Sequence, residues 1–237
     1  MNKWLPKDQM LRIAAENAVP ETAFFIDCGE YYELKWYTPD VEMDLCGHAT
    51  LATAHVLVRH LGRDAKTPLV FHTRSGELRV TVGPGGYTLD LPSRPPQPAL
   101  LPAEIAGAFG HEPLEVLRAR DYVLIYESED EIRNLRPDRS TLDRINLDPG
   151  GIICTAPGHE VDFVSRFFTP QATIFEDPVT GSAHCTLTPL WAARLGKKTL
   201  TARQLSARGG SLHCTLNGDR VLIKGQAVTY MEGKISV

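Results

Sequence analysis

Residues 47–62, GHATLATAHVLVRHLG, and residues 181–196, GSAHCTLTPLWAARLG, follow one pattern: glycine and tiny residues, then an apolar helical run, then Leu-Gly. A segment that recurs once, far down the chain, marks two related halves; the units of a solenoid would return every few tens of residues. Gly47 and Gly181 let the backbone come close to a ligand, and the small residues after them leave the first-turn N–H groups uncovered. Each helix start therefore offers roughly half a positive charge to an anion. Gly62 and Gly196 fit the matching stops. If the two starts face each other across a cleft, the cleft holds a small carboxylate and stabilises negative charge that develops beside it.

A chain of 237 residues suits two domains, each of about 100–120 residues and each able to bury a core. Ser93 to Pro98, SRPPQP, is the most linker-like stretch and sets the expected division at 1–98 and 99–237. A net charge of −4 with scattered basic residues leaves no footprint for nucleic acid or an anionic membrane. Arg133, Arg136 and Arg139 read as a solvated loop face. No apolar run reaches the ~20 residues of a membrane span, and Met1 to Ala18 is too charged for a signal peptide, so the cytoplasm is the expected location. Five widely spaced cysteines without a C-x-x-C pair argue against disulfides and against a thiolate zinc site.

Along the chain, residues 6 to 18 predict a helix with Met10, Ile13 and Ala14 on one face, stopped by Pro20. Thr22 to Ile26 and Tyr31 to Tyr37 predict a hairpin, which puts Glu21 on a helix-to-strand junction. Leu69 to Thr73, Glu77 to Val82 and Tyr87 to Leu91 read as strands. The second half repeats the recipe with a helix near Pro102 to Phe109 and strands at Tyr122 to Tyr126, Ile152 to Thr155 and Asp162 to Phe168. Hairpins turning at Asn217-Gly218 and at Glu232-Gly233 are expected to close the chain. A run as apolar as Leu51 to Val58 has to be surrounded, which gives an α+β fold of two similar domains, each a barrel-like sheet wrapped around a central helix.

Four residues compete for chemistry. Glu21 is a carboxylate at an element end beside an apolar strand, although such residues are ordinarily surface residues. His48 can orient a substrate through a ring nitrogen, or simply pack. Asp177, four residues before the second helix start, either caps the local N–H groups or polarises a substrate group. Cys46 precedes the first helix start, where a thiol pKa can fall and make a base, whereas most free cysteines are buried small hydrophobes. Metal binding finds no support in spacing: His48 and His55 lie two turns apart, and no H-E-x-x-H occurs. G-x-S-x-G and G-x-G-x-x-G are also missing. Proton chemistry on a small anion remains.

Six blocks in order, beginning Glu21-Thr22-Ala23-Phe24 and Asp44-Leu45-Cys46-Gly47-His48-Ala49, resemble the phenazine-biosynthesis (PhzF-like) isomerase family. The others are Arg74-Ser75-Gly76-Glu77-Leu78, Arg166-Phe167-Phe168-Thr169-Pro170, Glu176-Asp177-Pro178-Val179-Thr180-Gly181-Ser182 and Ser206-Ala207-Arg208-Gly209-Gly210. The resemblance implies a diaminopimelate-epimerase-like fold and a homodimer. It also implies a cofactor-independent isomerase that needs no metal and moves a proton on a small carboxylate-bearing metabolite. By motif, Glu21 becomes the acid/base with His48 and Asp177 assisting. Cys46, Gly47, Ala49, Thr180, Gly181 and Ser182 become the substrate-binding set.

Two departures from the family pattern stand out. The strand and Gly-Asn-Pro segment that ordinarily precede the first helix do not appear. Thr180 stands where the racemase cousins carry a second cysteine. One acid/base suffices when a proton leaves and returns on one face, which favours isomerisation. An epimerase using Cys46 and an inactive small-anion binding protein are the alternatives.

Overall fold

Both repeated segments are helices, Gly47–Arg59 and Gly181–Leu195, in the computed structural model, which describes residues 3–147 and 150–236. Each helix is the crossover of a parallel strand pair. The first links Tyr32–Tyr37 to Leu69–Thr73, and the second links Phe163–Phe168 to Thr199–Gln204. Parallel neighbours require such a crossover, because the chain must return to the same end of the sheet before the next strand begins. Gly62 and Gly196 both lie at φ 66°, the left-handed conformation that lets the chain leave each helix.

The crossovers are followed by equivalent hairpins, Gly76–Gly83 with Gly86–Pro92 and Gly210–Asn217 with Arg220–Gly225. The last strands of the two series then pair with each other, with Leu89 opposite Ile223. A single sheet of fourteen strands results. It runs from Thr22–Asp27 at one edge through this seam to Gln97–Pro98 at the other. The architecture is α+β, one large sheet curled around two helices.

One core runs through both halves: Leu51 and Leu57 of the first helix, Leu187 and Trp191 of the second, and Phe71, Leu89, Val221 and Ile223 of the sheet. The second helix is buried on all sides from Gly181 to Pro189. The first is not wholly surrounded, since Ala52 and Val56 face solvent. The N-terminal helix Lys7–Asn17 lays Met10 and Ala14 on Phe24 and Tyr37, and Ala18 at φ 50° closes it. Glu21 is thereby held between a packed helix and an edge strand.

Several expectations change. SRPPQP is tied down, with Ser93 N–H donating to Asp219 O and Arg94 N–H to Cys185 O, and Gln97–Pro98 pairs with Glu115–Arg118. Arg133 and Arg139 lie on the short helices Glu129–Asn134 and Arg139–Leu142, in place of a loop, and are paired with Glu129 and Asp143. The Ser128–Glu131 capping box starts the first of these helices.

No hairpin forms at Glu232-Gly233; residues 226–236 carry no strand. Val228, Tyr230 and Met231 stay exposed. The segment is fastened instead by the Thr229 hydroxyl, which meets His55 Nε2 at 2.8 Å and His60 Nε2 at 2.7 Å. Among the described residues, no helix is long and apolar enough to cross a membrane.

Candidate active site

The two helix starts meet. A Cβ added to Gly47 would lie 3.1 Å from the Cα of Gly181, and one added to Gly181 would lie 3.1 Å from the Cα of Gly47. Glycine is favoured at both positions by this close approach. The two sets of first-turn N–H groups border one cleft of about 910 Å³. Cys46, Gly47 and His48 line it from one helix and Thr180, Gly181 and Ser182 from the other, with Glu21 and Asp177 beside them. Ala49 packs in the core and does not line the cleft.

Glu21 and His48 form the centre of the charge pattern. His48 Nε2 is 3.1 Å from Glu21 Oε2, an ion-pair distance, and among the described residues that buried oxygen accepts no well-aligned hydrogen bond. His48 Nδ1 is 3.1 Å from the carbonyl oxygen of Val179. A carbonyl only accepts, so Nδ1 carries a proton. A neutral ring would then turn the Nε2 lone pair toward a carboxylate, and the repulsion is relieved only when one proton sits between Nε2 and Oε2. Burial opposes charge on the ring, but with Cys46 a neutral thiol it is the adjacent Glu21 carboxylate that favours the charged form and raises the His48 pKa above the ordinary histidine value.

Cys46 does not behave as a helix start suggests. Its sulfur lies 3.9 Å from both ring nitrogens of His48, yet burial pushes the thiol pKa up to about 11. Desolvation of the thiolate outweighs the helix dipole and the imidazole. The donor atoms of Glu21, Cys46 and His48 lie within 4.8 Å of one another, and they are the set among the described residues able to hold a metal ion. Spacing along the chain could not show this, because residue 21 reaches the helix from a separate strand.

Asp177 approaches from the second half. It is 8% exposed, its Oδ2 accepts from the Thr180 hydroxyl at 2.5 Å, and its Oδ1 is buried without a partner. Burial, with the nearby Glu21, raises its pKa despite the opposing pull of His48. A half-satisfied buried carboxyl aimed at a cleft is a group that lacks its donor. Thr180 is committed to holding Asp177.

The fastening of Asp177 uses residues that sequence reasoning missed. Fully buried Gln204 accepts from Thr180 N–H at 2.8 Å and donates to Asp177 O at 2.7 Å and Thr180 Oγ1 at 3.1 Å. Arg166 grips Glu176 with two bonds, Nε to Oε1 at 2.7 Å and Nη2 to Oε2 at 2.9 Å, while its Nη1 donates to the carbonyls of Ile132 and Leu135. Such a fork-to-fork pair fixes a loop in two dimensions. The only advance signal was that Arg166 and Glu176 both sit inside the quoted blocks.

The profile of the phenazine biosynthesis-like protein family matches residues 4–233. The chain belongs to the PhzF family. An uncharacterized isomerase of Pseudomonas aeruginosa is 45% identical over 99% of this chain and 90% of its own length. The crystal structure of a PhzF family protein from Enterococcus faecalis superposes with a TM-score of 0.91 at 43% identity, covering all of this chain and 90% of that one. A probable proline racemase from Agrobacterium radiobacter shares the fold at TM-score 0.65 and 9% identity, over 98% of this chain and 82% of that one. The cleft of this chain lies where its two crossover helices begin. In this member the cleft carries Glu21, His48 and Asp177.

Proposed function

We propose that this PhzF-family chain is an isomerase that moves a proton on a small carboxylate-bearing substrate, with no cofactor needed for the step. The substrate carboxylate sits on the first-turn N–H groups of the two helices, beside Ser182. Glu21 removes the proton from one substrate carbon and delivers it to another on the same face as the double bond shifts, and His48 steadies the carboxyl group while it carries that proton. The enolate-like charge that forms is met by the helix starts, an electrostatic arrangement that commonly lowers a barrier by several kcal/mol. Asp177 Oδ1 receives a hydroxyl or amino hydrogen of the substrate and fixes the reacting carbon over Glu21.

The observation that carries this reading is the 3.1 Å contact of Glu21 with His48, beside the point where the two helix starts touch. A two-base epimerase is less well supported: the thiol of Cys46, with a pKa near 11, stays protonated at neutral pH, and Thr180 is occupied. The test is a panel of amino, hydroxy and cyclic carboxylic acids in deuterium oxide. Wild type should place solvent deuterium on a substrate carbon. Glu21→Gln should abolish this with the fold intact, a loss of about 10²–10⁴-fold. Exchange that survives in Glu21→Gln would sink the assignment.

A further inference from the structure

Resting on the carboxylate-site reading above, we infer that Arg120 is a second anion-recognition point in the cleft, selecting substrates that carry a second acidic group. Arg120 lines the same 910 Å³ space as Glu21 and His48. Its side chain is only 14% exposed, and its Nε is buried without an acceptor. Among the described residues it forms one ion pair, Nη2 to Asp44 Oδ1 at 3.2 Å, and the Asp44 side chain is itself 35% exposed. A guanidinium carries five donors, and one taken out of water with its Nε unpaired is under-satisfied.

The surroundings leave room for an acceptor. Asp121 is the other nearby carboxylate; burial raises its pKa, and its Oδ1 is spent on Gly151 N–H at 2.8 Å. Arg94 adds a second positive charge to that group. The reacting carboxylate is already provided for by the helix starts at Gly47 and Gly181, so Arg120 is surplus to a monoacid. The volume points the same way, since about 910 Å³ lies at the upper end for small-molecule sites and exceeds what a short monocarboxylate fills.

Calorimetry with straight-chain dicarboxylates from succinate to adipate, against monocarboxylates of the same length, tests the inference. At the chain length that spans the two points, wild type should bind the diacid roughly tenfold or more tighter, the effect of one charge-assisted contact. Arg120→Gln should remove that preference while leaving the monoacid unaffected, and Arg120→Lys should keep part of it. Asp44→Asn covers the case in which Arg120→Gln does not fold. By freeing the guanidinium it should widen the preference, and a narrowing would show that Arg120 serves only to hold Asp44. If monoacids bind and diacids gain nothing, this inference falls and the carboxylate site stands. If neither class binds, the carboxylate site falls with it.

Discussion

The two helix starts have the same backbone and opposite chemistry. At Gly47 the surrounding side chains are titratable: Glu21, Cys46 and His48 crowd together, with His48 Nε2 3.1 Å from Glu21 Oε2. At Gly181 the side chains are locked by hydrogen bonds: Asp177, Thr180 and Gln204 bond one another, and only Asp177 Oδ1 is left over. Packing follows the same division. The second helix is buried all round from Gly181 to Pro189, while the first keeps an exposed flank. On the proposed reading the repeated scaffold divides the work, one copy supplying a mobile proton and the other a fixed frame for the substrate.

This division makes graded predictions. Removing charge at the proton side should cost most, and Glu21→Gln should lose far more activity than Asp177→Asn. Asp177→Asn keeps the shape and the bond from Thr180, so activity should drop about 10–100-fold through misplacement of the substrate. Its thermal midpoint should not fall, because the variant no longer buries an unpaired carboxylate oxygen. Equal losses in the two variants, or a destabilised but fully active Asp177→Asn, would erase the distinction between the halves.

Gly181→Ala acts on both starts at once. The added methyl meets the Gly47 Cα at 3.1 Å, so the helices must separate by a few tenths of an ångström. Overpacking of this kind costs about 1–3 kcal/mol, read as a lower denaturant midpoint, and carboxylate affinity should fall with it. Gly47→Ala should give the same result. A large difference between the two substitutions would mean that only one start holds the anion.

How much of this was legible beforehand depended on range. The two helices, their glycine starts and stops, and the position of Glu21 after Pro20 are written in local pattern, and the helices formed at the expected places. Gln204 was not legible, because an amide on a strand gives no sign that it will reach Asp177 twenty-seven positions earlier. The short helices after Ser128 were hidden by polar composition, although their capping signals were there. Cys46 was misjudged for a different reason. Its place before a helix start argues for a low pKa, but the pKa is decided by burial, which depends on packing against residues of the whole first half.

The smallest effects concern pH at the first start. The folded pKa of His48 lies above its unfolded value, so folding takes up a proton there. The stability this gives is complete below the unfolded pKa of about 6.5, and it is lost as pH rises through the higher folded value. Wild type should therefore lose stability on the alkaline side more steeply than His48→Gln, when denaturant midpoints are compared from pH 6 upward. Cys46 gives the matching chemical readout. A thiol with a pKa near 11 should resist iodoacetamide at pH 8, while exposed Cys28 reacts first. If Cys46 were labelled as fast as Cys28, a thiolate would be present at the first helix start, and the proton between Glu21 and His48 would have a competitor for the role of base.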